Sequence, residues 1–163
     1  MSKKLFTFFF LLISSSLIII SCNKDNADEI ISKSGLPMST AQEVPPPVGS
    51  SATGSINASY NKTSKTLTYT VTWQGLTSDS IRGMHIHGPA DPGFAAGILQ
   101  SFSASSASNT SGYPLKASGS YSGSVFADGV VIKEEELLAN KYYINIHTKL
   151  NPAGEIRGQL TLK

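Results

Sequence analysis

The segment Thr66-Leu67-Thr68-Tyr69-Thr70-Val71-Thr72-Trp73 sets the fold class. Its apolar residues fall on every second position, with threonine between them. Side chains alternate faces along a strand, so this pattern describes a ribbon with one buried and one wet face, and no helix reproduces it. Ser55-Ile56-Asn57-Ala58-Ser59-Tyr60 alternates in the same way, and Asn61-Lys62 joins the two as a turn, so a hairpin is expected here. Gln74-Gly75-Leu76 breaks the pattern. Further strands are expected near residues 81–87, 95–102, 119–125, 142–148 and 155–160. About seven or eight short strands separated by turn residues predict an all-β, antiparallel Greek-key β-sandwich or barrel. One short helix is expected over residues 133–140, with three glutamates in its first turn and Asn140 at its end. Neighbouring residues on a helix point in different directions, so those glutamates read as a solvated turn and not as a metal cluster.

The N-terminus predicts an address. Lys3 and Lys4 precede an apolar run over residues 5–20 that ends in Ile19-Ile20-Ser21-Cys22. A short basic stretch, an apolar stretch and a small-residue cleavage site make a secretory signal. The run is shorter than the ~20 residues of a spanning helix, and serines interrupt it. Ile19-Ile20-Ser21-Cys22 resembles the lipobox of bacterial lipoproteins, which implies lipidation of Cys22 with acyl chains such as palmitate. Cys22 is the only cysteine in the chain. It therefore has no intrachain disulfide partner, and lipidation gives it a role. Acyl chains worth about 0.8 kcal/mol per buried methylene would anchor the protein to a membrane without a spanning helix. The polar run from Asn23 to Glu29 resembles the acidic export tag of surface lipoproteins in the Bacteroidetes. The expected organisation is a signal peptide at 1–21, a lipidated polar linker at 22–35 and one domain at 36–163. The expected site is the cell envelope, as an outer-membrane lipoprotein displayed at the surface.

Charge excludes one class of partner. The chain carries a formal charge of +2, and both charged residues of the signal peptide are lysines. The mature domain is thus formally neutral and has no basic run, which does not suit nucleic acid.

Only three histidines occur, and they occupy two of the expected strands: Met84-His85-Ile86-His87-Gly88-Pro89-Ala90 and Tyr143-Ile144-Asn145-Ile146-His147-Thr148. Alternation sends Met84, Ile86, Ile144 and Ile146 toward a core and His85, His87 and His147 to the opposite, outer face. Residues i and i+2 of a strand lie about 6.6 Å apart, close enough for two imidazoles to lean onto one ion at bonds of ~2.0 Å. A third imidazole from the neighbouring strand would complete a three-nitrogen copper or zinc site, provided that His147 lies beside His85 or His87. The alternative is that the three rings pair with Thr, Asn or backbone carbonyls and only steady the strand ends.

Other motifs are quieter. No nucleophile elbow, phosphate-binding glycine loop or Cys–His pair is present. Residues 101–112 form a serine-rich loop. Asp91 lies in a Pro-Gly turn, and Pro45-Pro46-Pro47 reads as a stiff extended segment, either the cover of a sheet edge or a bare spacer. Glu155 and Arg157 are expected on the outer face as a surface ion pair.

Four blocks carry a family resemblance: Ala41-Gln42-Glu43-Val44-Pro45-Pro46; Met84 to Ala90; Glu135-Glu136-Leu137-Leu138-Ala139; and Tyr142 to His147 with Asn151-Pro152-Ala153-Gly154-Glu155-Ile156-Arg157-Gly158-Gln159-Leu160. In this order and spacing they resemble the CHRD domain, found repeated in chordin and singly in bacterial secreted proteins. The His-x-His strand, and the late strand whose histidine is followed by Asn-x-Ala-Gly, are more weakly similar to the copper/zinc superoxide dismutase sandwich. That similarity implies a copper-ligand role for His85, His87 and His147. The chain lacks the dismutase's metal-bridging histidine, its zinc ligands and its disulfide. Dismutation is therefore the least expected activity, and no catalytic residue is assigned.

The resulting expectation is a lipid-anchored, non-catalytic binding or adhesion module of the envelope. Its partners would be the membrane, through Cys22, and a protein or glycan. No cofactor is required on this reading. The alternative is a copper or zinc binder using His85, His87 and His147.

Overall fold

A computed structural model of the chain describes residues 29–106, Thr110 and 112–163. Cys22 and the signal peptide lie outside the described residues. Eight antiparallel strands form one sheet curled into a half-barrel: β1 (Ile30–Ser39), β2 (Thr53–Asn61), β3 (Thr66–Gln74), β4 (Ile81–His87), β5 (Ile98–Ser101), β6 (Gly119–Phe126), β7 (Tyr143–Thr148) and β8 (Ile156–Gln159). Their order is β5-β4-β7-β8-β1-β2-β3-β6. A single turn of 3-10 helix (Thr40–Gln42) follows β1, and helix α1 (Glu134–Leu138) precedes β7.

The expected hairpin is β2–β3, in unbroken register from Thr53↔Gln74 to Asn61↔Thr66. Ile56, Ala58 and Tyr60 on β2 and Leu67, Tyr69, Val71 and Trp73 on β3 face inward and are buried. The intervening serines and threonines form the wet face, bonding across strands as Ser55–Thr72 and Thr70–Ser122, each at 2.8 Å. Met84 and Ile86 of β4, Ile144 and Ile146 of β7, Ile156 of β8 and Leu137 of α1 complete the core. The far ends of the sheet meet through aromatic rings. Phe102, just beyond β5, stacks on Tyr69 at 4.9 Å and on Tyr121 of β6 at 5.3 Å.

Three elements differ from expectation. β1 begins at Ile30, so residues 30–35, expected to be tether, pair with β2 instead. Backbone pairing makes this strand, while only Ile31, Leu36 and Met38 bring apolar side chains to the core. The fifth strand is confined to Ile98–Ser101, because the residues before it form a loop that folds over the sheet's outer face. α1 is shorter than expected and ends as predicted. Asn140 has a φ of 61°, the left-handed conformation in which a helix commonly stops. Among the described residues, no helix is long and apolar enough to cross a membrane.

Candidate metal centre

The outer face of β4, β7 and β8 is a second, polar interior. Register places His85 opposite Asn145, His87 opposite Tyr143 and Gly83 opposite His147. On the other side of β7, Asn145 lies opposite Arg157 and Tyr143 opposite Gln159. This patch was expected to face solvent. Instead His87, Asn145, Arg157, Gln159 and Glu43 are all buried, and His85 and His147 are partly covered.

The cover is the loop over residues 88–97, held down through its backbone carbonyls. His87 Nδ1 donates to Ala96 O at 2.9 Å, Arg157 Nη1 to Phe94 O at 2.8 Å and Gln159 Nε2 to Ala90 O at 3.0 Å. The Tyr143 hydroxyl adds a fourth tie by accepting the Ala96 N–H at 3.0 Å. Polar side chains under a loop satisfy backbone groups that would otherwise be orphaned, so the face is both polar and dry.

Within it the three imidazoles converge, meeting the condition set by the sequence. Ring centroids are 4.9 Å apart for His85–His147, 5.5 Å for His85–His87 and 5.8 Å for His87–His147. One nitrogen from each ring lies within 4.8 Å of the other two. Two tautomers are fixed by carbonyls: His87 Nδ1–H donates to Ala96 O, and His147 Nδ1–H donates to Pro152 O at 3.0 Å. That leaves each Nε2 with a lone pair. Neither Nε2 has a hydrogen-bond partner, nor does His85 Nδ1. A nitrogen lone pair with its other ring N–H anchored to a carbonyl is the arrangement that orients metal-bound histidine. Nitrogens bound to one ion at ~2.0–2.1 Å are at most ~4.2 Å apart, so closure onto a metal needs under about an ångström of ring movement.

Electrostatics agree. Burial lowers all three imidazole pKa values below the ordinary 6.5. For His85 it does so to about 4, with His147 and His87 adding to the effect. All three rings are thus neutral, as ligation requires, at neutral pH.

Gly83 makes room for His85. A Cβ on Gly83 would sit 2.5 Å from His85 Cε1 and 2.7 Å from Nε2, so the imidazole lies directly over the glycine, toward His147. Gly83→Ala should turn the His85 ring away. The expected result is metal affinity reduced about tenfold or more, as for loss of one orienting contact. The melting temperature should shift little, because the displaced group is a side-chain end. Metal titration and a thermal melt on the same sample check it.

Several residues around the site answer differently from expectation. Glu155 and Arg157 do not form a surface pair, since both are buried. Glu155 accepts from Ser50 Oγ (2.7 Å), the Thr77 N–H (2.7 Å), Thr77 Oγ1 (3.0 Å) and Thr148 Oγ1 (2.6 Å), fastening three loops to the end of β7. Arg157 lies against the Tyr143 ring, its Cζ 3.4 Å from the centroid, and Tyr143 in turn stacks on His87 at 5.0 Å and 10°. An arginine therefore stands one ring away from the histidines. The nearby carboxylate is Glu43, not Asp91, which is paired with Lys141 at 2.5 Å on the surface. Alternation along Tyr143-Ile144-Asn145-Ile146-His147 already places Asn145 and Tyr143 on the histidine face. No pattern in the sequence brings Glu43 there. The serine-rich loop falls partly outside the described residues. Its described ends form a bridge between Ala104 and Tyr113.

The model of the CHRD domain family matches residues 35–160, nearly all of the described chain. The chain belongs to the CHRD family. The match spans Glu43, the three histidines, Asn145 and Arg157, so the polar interior lies wholly inside the CHRD domain. CHRD is not a known enzyme family. No curated protein and no solved structure matches the chain.

Proposed function

We propose that this CHRD protein is a lipid-anchored, non-catalytic metal-binding module of the bacterial envelope, holding one copper or zinc ion through His85, His87 and His147. The observation that carries this reading is the set of three partnerless, buried ring nitrogens, two of them fixed as lone pairs by carbonyl-anchored N–H groups. Leaving three such nitrogens unpaired in a dry face costs free energy for each one, and a metal ion recovers all three at once. Three imidazoles leave coordination positions open, and copper ranks above zinc for nitrogen ligands.

Binding of a protein or glycan partner has weaker support. A trough of ≈ 590 Å³ on the wet face of β1, β2, β3 and β6 is lined mainly by serine and threonine, with Lys33 and Asn57 among them. Those hydroxyls largely bond to one another, as Ser32 does to Ser59 at 2.8 Å.

Calorimetric titration of the purified protein tests the metal reading. The expected result is one Cu²⁺ per chain, with each single His→Ala variant weakened by more than the about tenfold to hundredfold that losing an orienting contact costs. Protons compete with metal only once the imidazoles titrate. Because their pKa values are depressed, affinity should hold as pH falls through 6.5 and drop only in more acidic solution. Absence of saturable binding at neutral pH would return the protein to the adhesion reading.

The anchor is tested separately. Cys22→Ala should abolish labelling by a fatty-acid probe and release the protein from the membrane fraction. Unchanged labelling and fractionation would remove the lipoprotein part of the proposal.

A further inference from the structure

Beside the histidines lies a second arrangement that metal binding does not use. Arg157 is 1% exposed, yet none of the three ion pairs among the described residues, Lys62–Glu29, Lys65–Glu134 and Lys141–Asp91, includes it. Its Nη1 donates to Phe94 O and its Nη2 to Gln159 Oε1 at 2.9 Å, both neutral acceptors. A guanidinium has five N–H donors in a planar fork, and neutral acceptors leave its charge unbalanced. Glu43, 5% exposed, presents a carboxyl oxygen, Oε1, with no hydrogen-bond partner. Both residues line one cavity of ≈ 240 Å³, together with Gln42, Val44, Gly93 and Gln159.

The two charges are not in ion-pair contact, so the Glu43 carboxylate does not cap the guanidinium fork. Burial raises Glu43 from 4.5 to about 7, against the opposing pull of Arg157, Asn145 and the Val44 N–H. Near neutrality the carboxyl is therefore largely able to carry a proton and donate it. Gly154 is fitted to this group, since a Cβ there would lie 2.6 Å from each carboxyl oxygen. Phe94 O and Gln159 Oε1 take two of the five guanidinium N–H groups, and a buried cation with donors remaining, beside a carboxyl able to donate, suits an anion with two oxygens in a plane. The volume is below the ~300 Å³ at which drug-sized pockets begin, so the ligand has few atoms.

We infer that this cavity is a binding site for a small carboxylate, gripped by the Arg157 fork with Glu43 as its second contact. The site shares no ligand residue with the metal centre and does not depend on it. The two are neighbours through Tyr143, which separates Arg157 from His87, and through Asn145, which stands opposite His85 in the register and beside the Glu43 carboxyl.

Acetate is the probe, titrated calorimetrically into the chelator-treated full chain at pH 6. Saturable binding of one acetate is expected, and Arg157→Gln should weaken it about tenfold or more, the worth of a charge-assisted hydrogen bond. Arg157→Lys should fall between, keeping the charge and losing the fork. Glu43→Gln keeps an N–H donor at the second contact and cannot ionise, so it should still bind acetate and do so independently of pH. The pH dependence covers the case in which the Arg157 variants fail to fold. The groups around the Glu43 carboxyl are Arg157 of β8, Asn145 of β7 and the Val44 backbone. Acetate affinity of the parent should therefore decline from pH 6 to pH 8 as Glu43 ionises, and that of Glu43→Gln should stay level. Non-saturable acetate binding, or loss of binding in Glu43→Gln with an unchanged Arg157→Gln, would overturn the inference. Because the metal is absent from this experiment, its outcome is separate from that of the copper titration.

Discussion

Trp73→Ala is expected to lower stability by about 3–5 kcal/mol, the range for truncating a core aromatic. Trp73 is 3% exposed and sits near the end of β3, the penultimate strand of the sheet, between Gly54 on β2 and Gly119 on β6. Gly119 is shaped to it: a Cβ there would come within 2.7 Å of Trp73 Cζ2. The indole N–H also donates to Lys116 O at 3.0 Å, tying the segment before β6 to the core. Alanine would open a cavity and orphan that carbonyl together. Trp73→Phe refills most of the volume and should cost less, about 1–2 kcal/mol, reflecting smaller packing and hydrogen-bond losses. Denaturant titrations of both variants measure the two effects apart. An unchanged midpoint for Trp73→Ala would contradict the placement of β3 in the core.

Glu43→Gln is expected to stabilise the protein at pH 8 and to do little at pH 4. The Glu43 carboxyl titrates near 7 in the fold and near 4.5 in the unfolded chain. Below 4.5 it is protonated in both states and neutral to stability. Between 4.5 and 7 the unfolded chain ionises first, so stability declines as pH rises. At about 1.36 kcal/mol per pKa unit, this reaches about 3 kcal/mol above pH 7, and glutamine removes it. Glu155 has the opposite sign. Burial pushes its pKa up, but hydrogen bonds from Thr148, Ser50, the Thr77 N–H and Asn151 outweigh burial and leave it lowered. Its contribution is therefore present above the unfolded carboxyl pKa and is lost as pH falls through the folded one. Thermal melts of the parent and Glu43→Gln across pH 4–8 check the sign. Equal midpoints at pH 8 would contradict a buried, ionisable Glu43.

Binary alternation made β2, β3, β4 and β7 legible, because each of these strands has one apolar and one polar face. It also put the three histidines together on one face. What alternation cannot tell is whether a polar face is wet. Asn145, Arg157, Gln159 and Glu155 look like solvent-facing residues in the sequence, and they are dry because the loop over residues 88–97 and the turn at 149–154 fold back across them. That covering is a tertiary event, recorded in single hydrogen bonds to Phe94 O, Ala96 O and Pro152 O. β1 escaped for the reverse reason. Its sequence is polar and glycine-interrupted, and its pairing with β2 is carried by backbone groups, with a register shift between Lys33 and Leu36. Glu43 reaches the site from beyond the 3-10 turn, which no period in the sequence encodes.

The most direct test of the metal centre is the nitrogen count around bound copper. Electron paramagnetic resonance and X-ray absorption on the Cu²⁺-loaded protein should report three imidazole nitrogens at ~2.0 Å, falling to two in His85→Ala, His87→Ala or His147→Ala. A spectrum with fewer than three imidazoles, or one unchanged when all three histidines are replaced, would contradict the assignment of this face as a metal site.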